Sequence, residues 1–299
     1  MKLGIVVLVV ALFGVASCAG RPSVFSDANV TPSPFAPGIV STEAEEYRIA
    51  FTADGRTAYF ARGTAFFPIS RAATIYETTF RDGAWSTPTV ASFSGQYPDI
   101  DPFISPDGRL LLFSSIRPVA GEARKDLDLW VAVRTVNGWS EPRHLGAAVN
   151  SPRDELYPSV DASGMLYFGS DREGGVGGWD IYRSTVTGRD PDGIPQYASA
   201  ENVGAPVNTS RWEFNPAIST DGNTLIFTGL NYPGGAGFGD LYEARRTTSG
   251  WSTPTSLPSI NTSADEYHAS LTSDGRTLLF VRRPPTQQAH GDLMIVRRP

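Results

Sequence analysis

Apolar and polar positions repeat along this chain in five blocks of similar length. In each block an alternating apolar stretch runs into a turn closed by glycine, and a second apolar run returns. The blocks read FTADGRTAYF (51–60), ISPDGRLLLF (104–113), VDASGMLYF (160–168), ISTDGNTLIF (218–227) and LTSDGRTLLF (271–280). The turn glycines are spaced by 53, 56, 58 and 53 residues. A period of this size, built from short apolar runs and turn signals, predicts a repeat architecture.

Each block predicts a small antiparallel sheet of four strands. The first two strands form the hairpin, and the third follows a polar loop with an Asp before two apolar residues in four of the blocks, at Asp128, Asp180, Asp240 and Asp292. A fourth strand carries G-W-S-x-P at 138–142 and 250–254, with a near match at 84–88. Four short strands repeated radially are typical of a β-propeller blade.

The two ends of the chain predict how the ring closes. The last block stops after its third strand and has no G-W-S-x-P segment, whereas residues 35–46 align with residues 144–155 and 257–266. We therefore expect the N-terminal segment to complete the last blade, which removes an exposed sheet edge. The predicted fold is all-β: a five-bladed β-propeller of four-stranded antiparallel blades.

The N-terminal residues predict export and a lipid anchor. Residues 1–17 have a charged start and an apolar stretch too short for a transmembrane helix, and they end before Cys18 in a V-A-S-C sequence. This sequence resembles the lipobox of bacterial lipoproteins, so we expect acylation of Cys18; an ordinary secretory signal is the alternative. Residues 18–34 read as a flexible tether, and residues 35–299 as the propeller. The repeats lie near 43–95, 96–151, 152–209, 210–262 and 263–299 plus 35–42.

Composition restricts the functional classes. The chain has 31 acidic and 25 basic residues and lacks the basic patch that nucleic-acid binding requires. Lys2 and Lys125 are its only lysines, which argues against a Schiff-base mechanism. No G-x-S-x-G or H-E-x-x-H motif is present, and three histidines do not favour a histidine-rich metal site.

The repeated string S-P-D-G-R-x-L-x-F, followed by a polar loop and D-[IL]-[YW], resembles the WD-like propeller repeat of the TolB family of periplasmic proteins. The resemblance covers nearly the whole mature chain. It implies the fold and a binding scaffold in the cell envelope, and it does not by itself imply a particular activity. The separate N-terminal domain expected of TolB itself is missing from this chain.

Two rings of polar residues are expected on the innermost strands, beside the central channel. An acid lies nine residues before every turn glycine, at Glu46, Asp99, Glu155, Glu213 and Glu266. Two residues further on, on the same face of each strand, the residues vary: Arg48, Asp101, Tyr157, Asn215 and His268. We interpret the constant acidic ring as structural, with ligand or metal binding as the alternative, and the variable ring as the candidate recognition surface; the residues of both rings are the binding candidates at the channel mouth. A central cation is conceivable, but a five-bladed channel is too wide for all five carboxylates to reach one ion, so neither a metal nor a cofactor is expected.

Other recurrent residues have structural interpretations. The third-strand aspartates are expected to anchor turns, and Trp85, Trp139 and Trp251 to pack inside blades. Two glycine-rich loops, Arg172–Gly178 and Pro233–Gly239, connect strands and open no helix, so they lack phosphate-binding geometry. They could form part of a binding rim.

Two functional hypotheses follow. The first is a non-catalytic, lipid-anchored monomer, in the outer membrane and facing the periplasm, that binds a protein, peptide or envelope polymer at its channel face. The second is a glycoside hydrolase acting on arabinan- or xylan-like sugars, because five-bladed propellers also carry enzymes with paired carboxylates at the channel mouth. We favour the first hypothesis because the acids follow the repeat, and only Asp101 breaks it as an acid.

Overall fold

The computed structural model describes residues 25, 31–65, 70–286 and 290–297. The predicted signal peptide, Cys18 and most of the predicted tether lie outside these residues. All regular structure in the described ranges is β-strand, arranged in five blades around a central axis. The predicted five-bladed propeller of antiparallel sheets is confirmed.

The blades follow one another along the chain, each beginning with its innermost strand. After β1 (Ser33–Pro34), blade I contains β2 (Glu45–Phe51), β3 (Thr57–Gly63), β4 (Ala73–Arg81), β5 (Ala84–Trp85) and β6 (Thr89–Val90). Blade II contains β7 (Asp99–Ile104), β8 (Leu110–Ser115), β9 (Asp128–Thr135), β10 (Gly138–Trp139) and β11 (Arg143–His144). In both blades the fourth strand is broken into two short pieces that pair with the third strand.

Blade III contains β12 (Glu155–Val160), β13 (Leu166–Ser170), β14 (Asp180–Ser184) and β17 (Glu201–Asn202), with an extra hairpin of β15 (Val186–Arg189) and β16 (Pro195–Tyr197). Blade IV contains β18 (Trp212–Ile218), β19 (Thr224–Leu230), β20 (Gly239–Thr247), β21 (Gly250–Trp251) and β22 (Thr255–Ser256). Blade V contains β23 (Asp265–Leu271), β24 (Thr277–Arg283) and β25 (Asp292–Arg297).

The N-terminal strand β1 supplies the fourth strand of blade V. Ser33 pairs with Ile295 and Pro34 with Met294, both antiparallel. The Phe35 amide donates to the Leu293 carbonyl over 2.7 Å, and the Ser41 hydroxyl donates to the same carbonyl over 2.8 Å. The closing strand thus lies directly before the segment 35–42 that the sequence predicts to form it, and this segment forms the turn that leads into blade I.

Apolar side chains fill the seams between adjacent blades. Trp139 of blade II packs edge-on against Tyr59 of blade I, and Trp251 of blade IV packs in the same way against Tyr167 of blade III. Phe25, from before the first strand, is only 2% exposed and lies in a cluster with Ile226 between blades IV and V. The seams therefore use aromatic residues from the outer strands and from the N-terminal segment.

Candidate functional site

A β-bulge in every innermost strand sets the orientation of the variable ring. The pairing with the second strand shifts register at the same place in all five blades. Four of the ring residues have left-handed backbone angles, with φ of 58° at Asp101, 62° at Tyr157, 52° at Asn215 and 53° at His268. This conformation is rare for a tyrosine. Bulges re-aim side chains, and here they turn the ring residues towards one another across the channel.

Arg48, Asp101, Tyr157, Asn215 and His268 form what we call the channel plug. Arg48 extends from blade I to the far side of the ring, where its guanidinium donates to the Pro158 carbonyl over 2.7 Å and to the Pro216 carbonyl over 3.1 Å. His268 Nδ1 lies 3.2 Å from Asp101 Oδ1 and 3.3 Å from Asn215 Nδ2. The rings of Tyr157 and His268 meet edge to face, with centroids 5.6 Å apart. All five blades thus contribute to one contact network at the axis.

Burial dominates the electrostatics of the plug. It lowers the pKa of Arg48 to about 10 against the opposing effect of the Asp101 charge, and it raises the pKa of Tyr157 well above its ordinary value. Neither carboxylate oxygen of Asp101 accepts a hydrogen bond from the described residues. The positive charge of Arg48 acts on this buried group, and the imidazole of His268 lies beside it.

The plug does not form the open channel mouth that the sequence analysis placed there. Its five side chains are between 0 and 5% exposed and close the channel part way along its length. Their diversity has a direct physical explanation: a cation, an anion, an amide, an imidazole and a phenol ring meet one another at the axis. Identical residues from five blades could not make these complementary contacts.

The acidic ring lies inside the blades. Its five carboxylates are fully buried, and each accepts hydrogen bonds from the turn that precedes its own strand. Glu155, for example, accepts from the Ser151 amide over 2.7 Å and from the Ser151 hydroxyl over 2.6 Å. Burial raises the pKa of Glu46 to about 7, and it raises the pKa of the other four acids as well. These contacts fix the entry of the chain into each blade.

In four blades an arginine from the end of the second strand completes this arrangement. The ion pairs are Arg62–Glu46, Arg117–Asp99, Arg172–Glu155 and Arg282–Glu266, with shortest N–O distances of 3.4, 2.7, 3.0 and 2.8 Å. Each guanidinium also lies over the ring of a blade aromatic residue. In blade IV Tyr232 takes this place, with its ring 4.6 Å from that of Tyr242 and its hydroxyl bonded to the Pro206 carbonyl. Glu213 therefore has no ion-pair partner within 4 Å among the described residues.

A cavity of about 470 Å³ opens at the end of the propeller that carries the Asp-Gly turns; we call it the lower cavity. Its floor lies below the channel plug and is formed by the last residues of the innermost strands, including Ala50, Ile104, Val160 and Ile218. From there it extends outward between blades I and V. The floor is mainly aliphatic, and the mouth is open to solvent.

Aromatic residues form the outer wall of the lower cavity. Trp85 lies 5.3 Å from Phe80, 5.5 Å from Phe35 and 6.0 Å from Phe51, measured between ring centroids. On the blade V side the residue in the second strand is Leu279, at the position that Tyr59 and Tyr167 hold in their blades. The smaller leucine leaves this seam unfilled. The sequence does not indicate the cavity, because Leu112 and Ile226 hold the same position in blades II and IV and pack in clusters with Tyr197 and Phe25.

Two carboxylates lie at the mouth of the lower cavity. Asp54 and Asp274 belong to equivalent turns, and each accepts a hydrogen bond of 2.6 Å from the threonine two residues before it. These hydroxyl groups are the main reason that the pKa of both aspartates is lowered. Among the residues that the structure describes, no cluster of three or more His, Cys, Asp or Glu side chains could hold a metal ion.

In blades III and IV the aspartates at the start of the third strands contact the glycine-rich loops before them. Asp180 accepts hydrogen bonds from the backbone amides of Val176 and Gly177, and Asp240 accepts from those of Ala236 and Gly237. The glycine-rich loops thus wrap around these aspartates. A Cβ on Gly177 would lie 1.8 Å from the Arg211 carbonyl oxygen of the next blade, so only glycine fits there.

The part of the chain that the structure describes contains no helix long and apolar enough to span a membrane. No protein-family model matches the chain, and no curated protein gives a significant match.

Solved structures share the fold at low sequence identity. TolB from Acinetobacter baumannii is 17% identical, with 85% of this chain and 54% of that chain covered and a TM-score of 0.48. The chain therefore spans about half the length of that protein. A protein described as a TolB from Agrobacterium tumefaciens is also 17% identical, with 81% and 72% covered and a TM-score of 0.50.

The catalytic domain of a GH62 alpha-L-arabinofuranosidase from Coprinopsis cinerea is 12% identical, with 91% of this chain and 98% of that domain covered and a TM-score of 0.56. At these identities the likeness concerns the fold and extends to no activity. The repeats, the strand order and the neighbours with TM-scores of 0.50 and 0.56 agree that the chain has a TolB-like β-propeller fold with five blades.

Proposed function

We propose that this protein is a non-catalytic binding scaffold of the bacterial cell envelope that takes its ligand in the lower cavity. The observation that carries the proposal is the shape and chemistry of that cavity: it is open, has an aliphatic floor and an aromatic wall, and has hydroxyl and charged side chains such as Thr52, Asp54 and Asp274 at its rim. Pockets of this kind bind ligands by burying apolar surface while a few polar groups fix orientation. The ligand is a protein, a peptide or an envelope polymer.

The envelope location rests on the N-terminal sequence and on the TolB neighbours. The charged start, the short apolar stretch and the lipobox-like V-A-S-C sequence support export and acylation at Cys18. With a lipid anchor of this kind, the propeller is held at the outer membrane and faces the periplasm.

The glycoside hydrolase hypothesis is less well supported by the geometry. Glycosidases need one carboxyl group with a raised pKa to protonate the leaving group and a second, ionised carboxylate. At the lower cavity the pKa values of Asp54 and Asp274 are both lowered, so neither suits the role of general acid. The acids of the two rings are buried inside blades or in the channel plug.

Capture from bacterial envelope extracts tests the proposal. Ala53→Trp would block the exposed mouth of the cavity, and Phe80→Ala would remove part of its wall, where Phe80 is 38% exposed. We expect both variants to lose a partner that the wild-type protein retains. Val136→Ala, a fully exposed apolar residue that does not line the cavity, is the control and should keep it. Retention of every captured species by both cavity variants would refute the proposal.

A hydrolysis assay addresses the enzyme hypothesis directly. The full protein should release no sugar from arabinan, xylan or related polymers. Release that is lost in Asp54→Asn or Asp274→Asn would favour the glycosidase instead.

A further inference from the structure

Blade IV differs from the other blades at the end of the propeller opposite the lower cavity. The first difference is Tyr232, which stands where the other four blades place an arginine against the acidic ring. The second is Trp212, at the start of the innermost strand, where blades I, III and V have Glu45, Asp154 and Asp265. Both changes lie on one blade and at one end.

Two aromatic side chains are exposed on this surface. Trp212 is 47% and Phe238 is 54% exposed, although both types of residue are usually covered. Trp212 lies across the glycine-rich loop of blade III, since a Cβ on Gly178 would come within 2.0 Å of its indole nitrogen. Phe238 is held at the edge of blade V because its backbone amide donates to Asp265 over 3.2 Å. The rings are thus fixed in position and open to solvent.

The charge beneath these rings is negative and incompletely balanced. Glu213 is held by Thr209, and no arginine of the described residues lies within ion-pair distance of it. Asp240 accepts hydrogen bonds from backbone amides, and Asp265 accepts them from the amides of Phe238 and Gly239 and from the Tyr267 hydroxyl group. Arg211, which is exposed, is the basic side chain that acts on Glu213. In the other blades an arginine bonded directly to the acid cancels this charge.

We propose that the upper face of blade IV, formed by Trp212 and Phe238 above Glu213, Asp240 and Asp265, is a docking surface for an arginine- or lysine-rich segment of a partner protein. Guanidinium and ammonium groups bind the faces of aromatic rings, and the carboxylates of this face add electrostatic attraction for the same cations. The surface is separate from the lower cavity, so the inference goes beyond the function proposed above and does not depend on it.

Binding of labelled peptides to the full protein tests the inference. The probes are fluorescein-labelled hexa-arginine, hexa-glutamate and a neutral Ser-Phe repeat of the same length, followed by fluorescence anisotropy at low salt. We expect hexa-arginine alone to bind, with affinity that falls as salt rises. Equal binding of the neutral or the acidic peptide would overturn the inference.

Variants taken from the repeats themselves separate the two parts of the surface. Trp212→Ala removes a ring and should weaken hexa-arginine binding about three- to tenfold, as expected for exposed to partly desolvated cation–π contacts. Tyr232→Arg restores the arginine of the other blades, neutralises Glu213 and should weaken binding about threefold or more. Both variants are expected to remain folded, because Trp212 is exposed and four blades already accommodate the arginine.

Phe80→Ala is the control at the lower cavity and should leave hexa-arginine binding unchanged. Unchanged affinity in both Trp212→Ala and Tyr232→Arg would refute the docking surface. That result would not change how loss of envelope capture in Phe80→Ala is interpreted, because capture tests the lower cavity alone. The two proposals can therefore fail separately.

Discussion

Replacing Arg48 by methionine tests whether the channel plug holds the five blades together. The guanidinium donates to carbonyl groups of blades III and IV and supplies the positive charge that faces Asp101. Methionine keeps an unbranched side chain against Phe103, over which the guanidinium now lies at 5.5 Å. The substitution therefore removes charge and hydrogen bonds while it largely preserves packing.

The expected loss in the free energy of unfolding follows from the polar groups that stay buried when the guanidinium is removed. Asp101 is 0% exposed and would lose its compensating charge, and the Pro158 and Pro216 carbonyls would lose their donor. Removing a buried charge that acts on another buried charge, together with the donor of two buried carbonyl groups, is expected to cost about 3–5 kcal/mol. For a chain of this size each kcal/mol corresponds to about 2–4 °C in Tm, so we expect a decrease of about 6–20 °C.

Urea unfolding followed by tryptophan fluorescence measures the effect, and a double-mutant cycle assigns it. Asp101→Asn removes the charge that Arg48 balances, so the double variant Arg48→Met/Asp101→Asn should be more stable than the sum of the single effects predicts. We expect a coupling energy of about 2 kcal/mol. A cost below about 1 kcal/mol for Arg48→Met, or additive single effects, would refute the reasoning that burial makes this pair structurally important.

Two further predictions concern the acidic ring and the N-terminal segment. Because the pKa of Glu46 is raised to about 7 from 4.5, the folded protein keeps a proton that the unfolded chain has released, so the free energy of unfolding should fall as the pH rises across this window. Glu46→Gln should reduce that slope in urea titrations over the same pH range; an unchanged slope would contradict the assignment to Glu46. Phe25 is 2% exposed between blades IV and V, and Phe25→Ala should cost about 3–5 kcal/mol in urea unfolding. Phe80→Ala, which truncates a more exposed ring, should cost much less, and equal costs would argue against a packing role for Phe25.

The fold could be predicted from the sequence because the same pattern of turn glycine and apolar strands occurs in five successive blocks. The turn glycines, the alternating apolar runs and the truncated last block all point to a closed five-bladed ring, and strand β1 occupies the place predicted for an N-terminal strand to within two residues. The acids of the acidic ring could also be located, since they stand at a fixed distance from each turn. Strands and turns are determined by local sequence patterns, and five copies of one pattern reduce the error in predicting them.

The channel plug and the lower cavity were harder to predict for two different reasons. The bulges that turn Asp101 and His268 towards each other arise from strand pairing, so the sequence alone did not reveal that the five variable residues are buried together. The lower cavity depends on a missing ring at Leu279, which matters only because Trp85 lies opposite in three dimensions. Contacts between blades join residues far apart in sequence, so the spacing of the repeats does not predict which side chains meet.

Strand β1 also links the closure of the ring to occupancy of the lower cavity. The closing sheet has only two residue pairs, and Phe35 and Ile295 at this junction also line the cavity. Separation of β1 from β25 would therefore dismantle one wall of the site, and a ligand held there would favour the paired state in proportion to its concentration and affinity. A ligand bound in the lower cavity would therefore stabilise the junction between blades I and V against opening. Amide hydrogen exchange at Phe35 should slow when the cavity is filled.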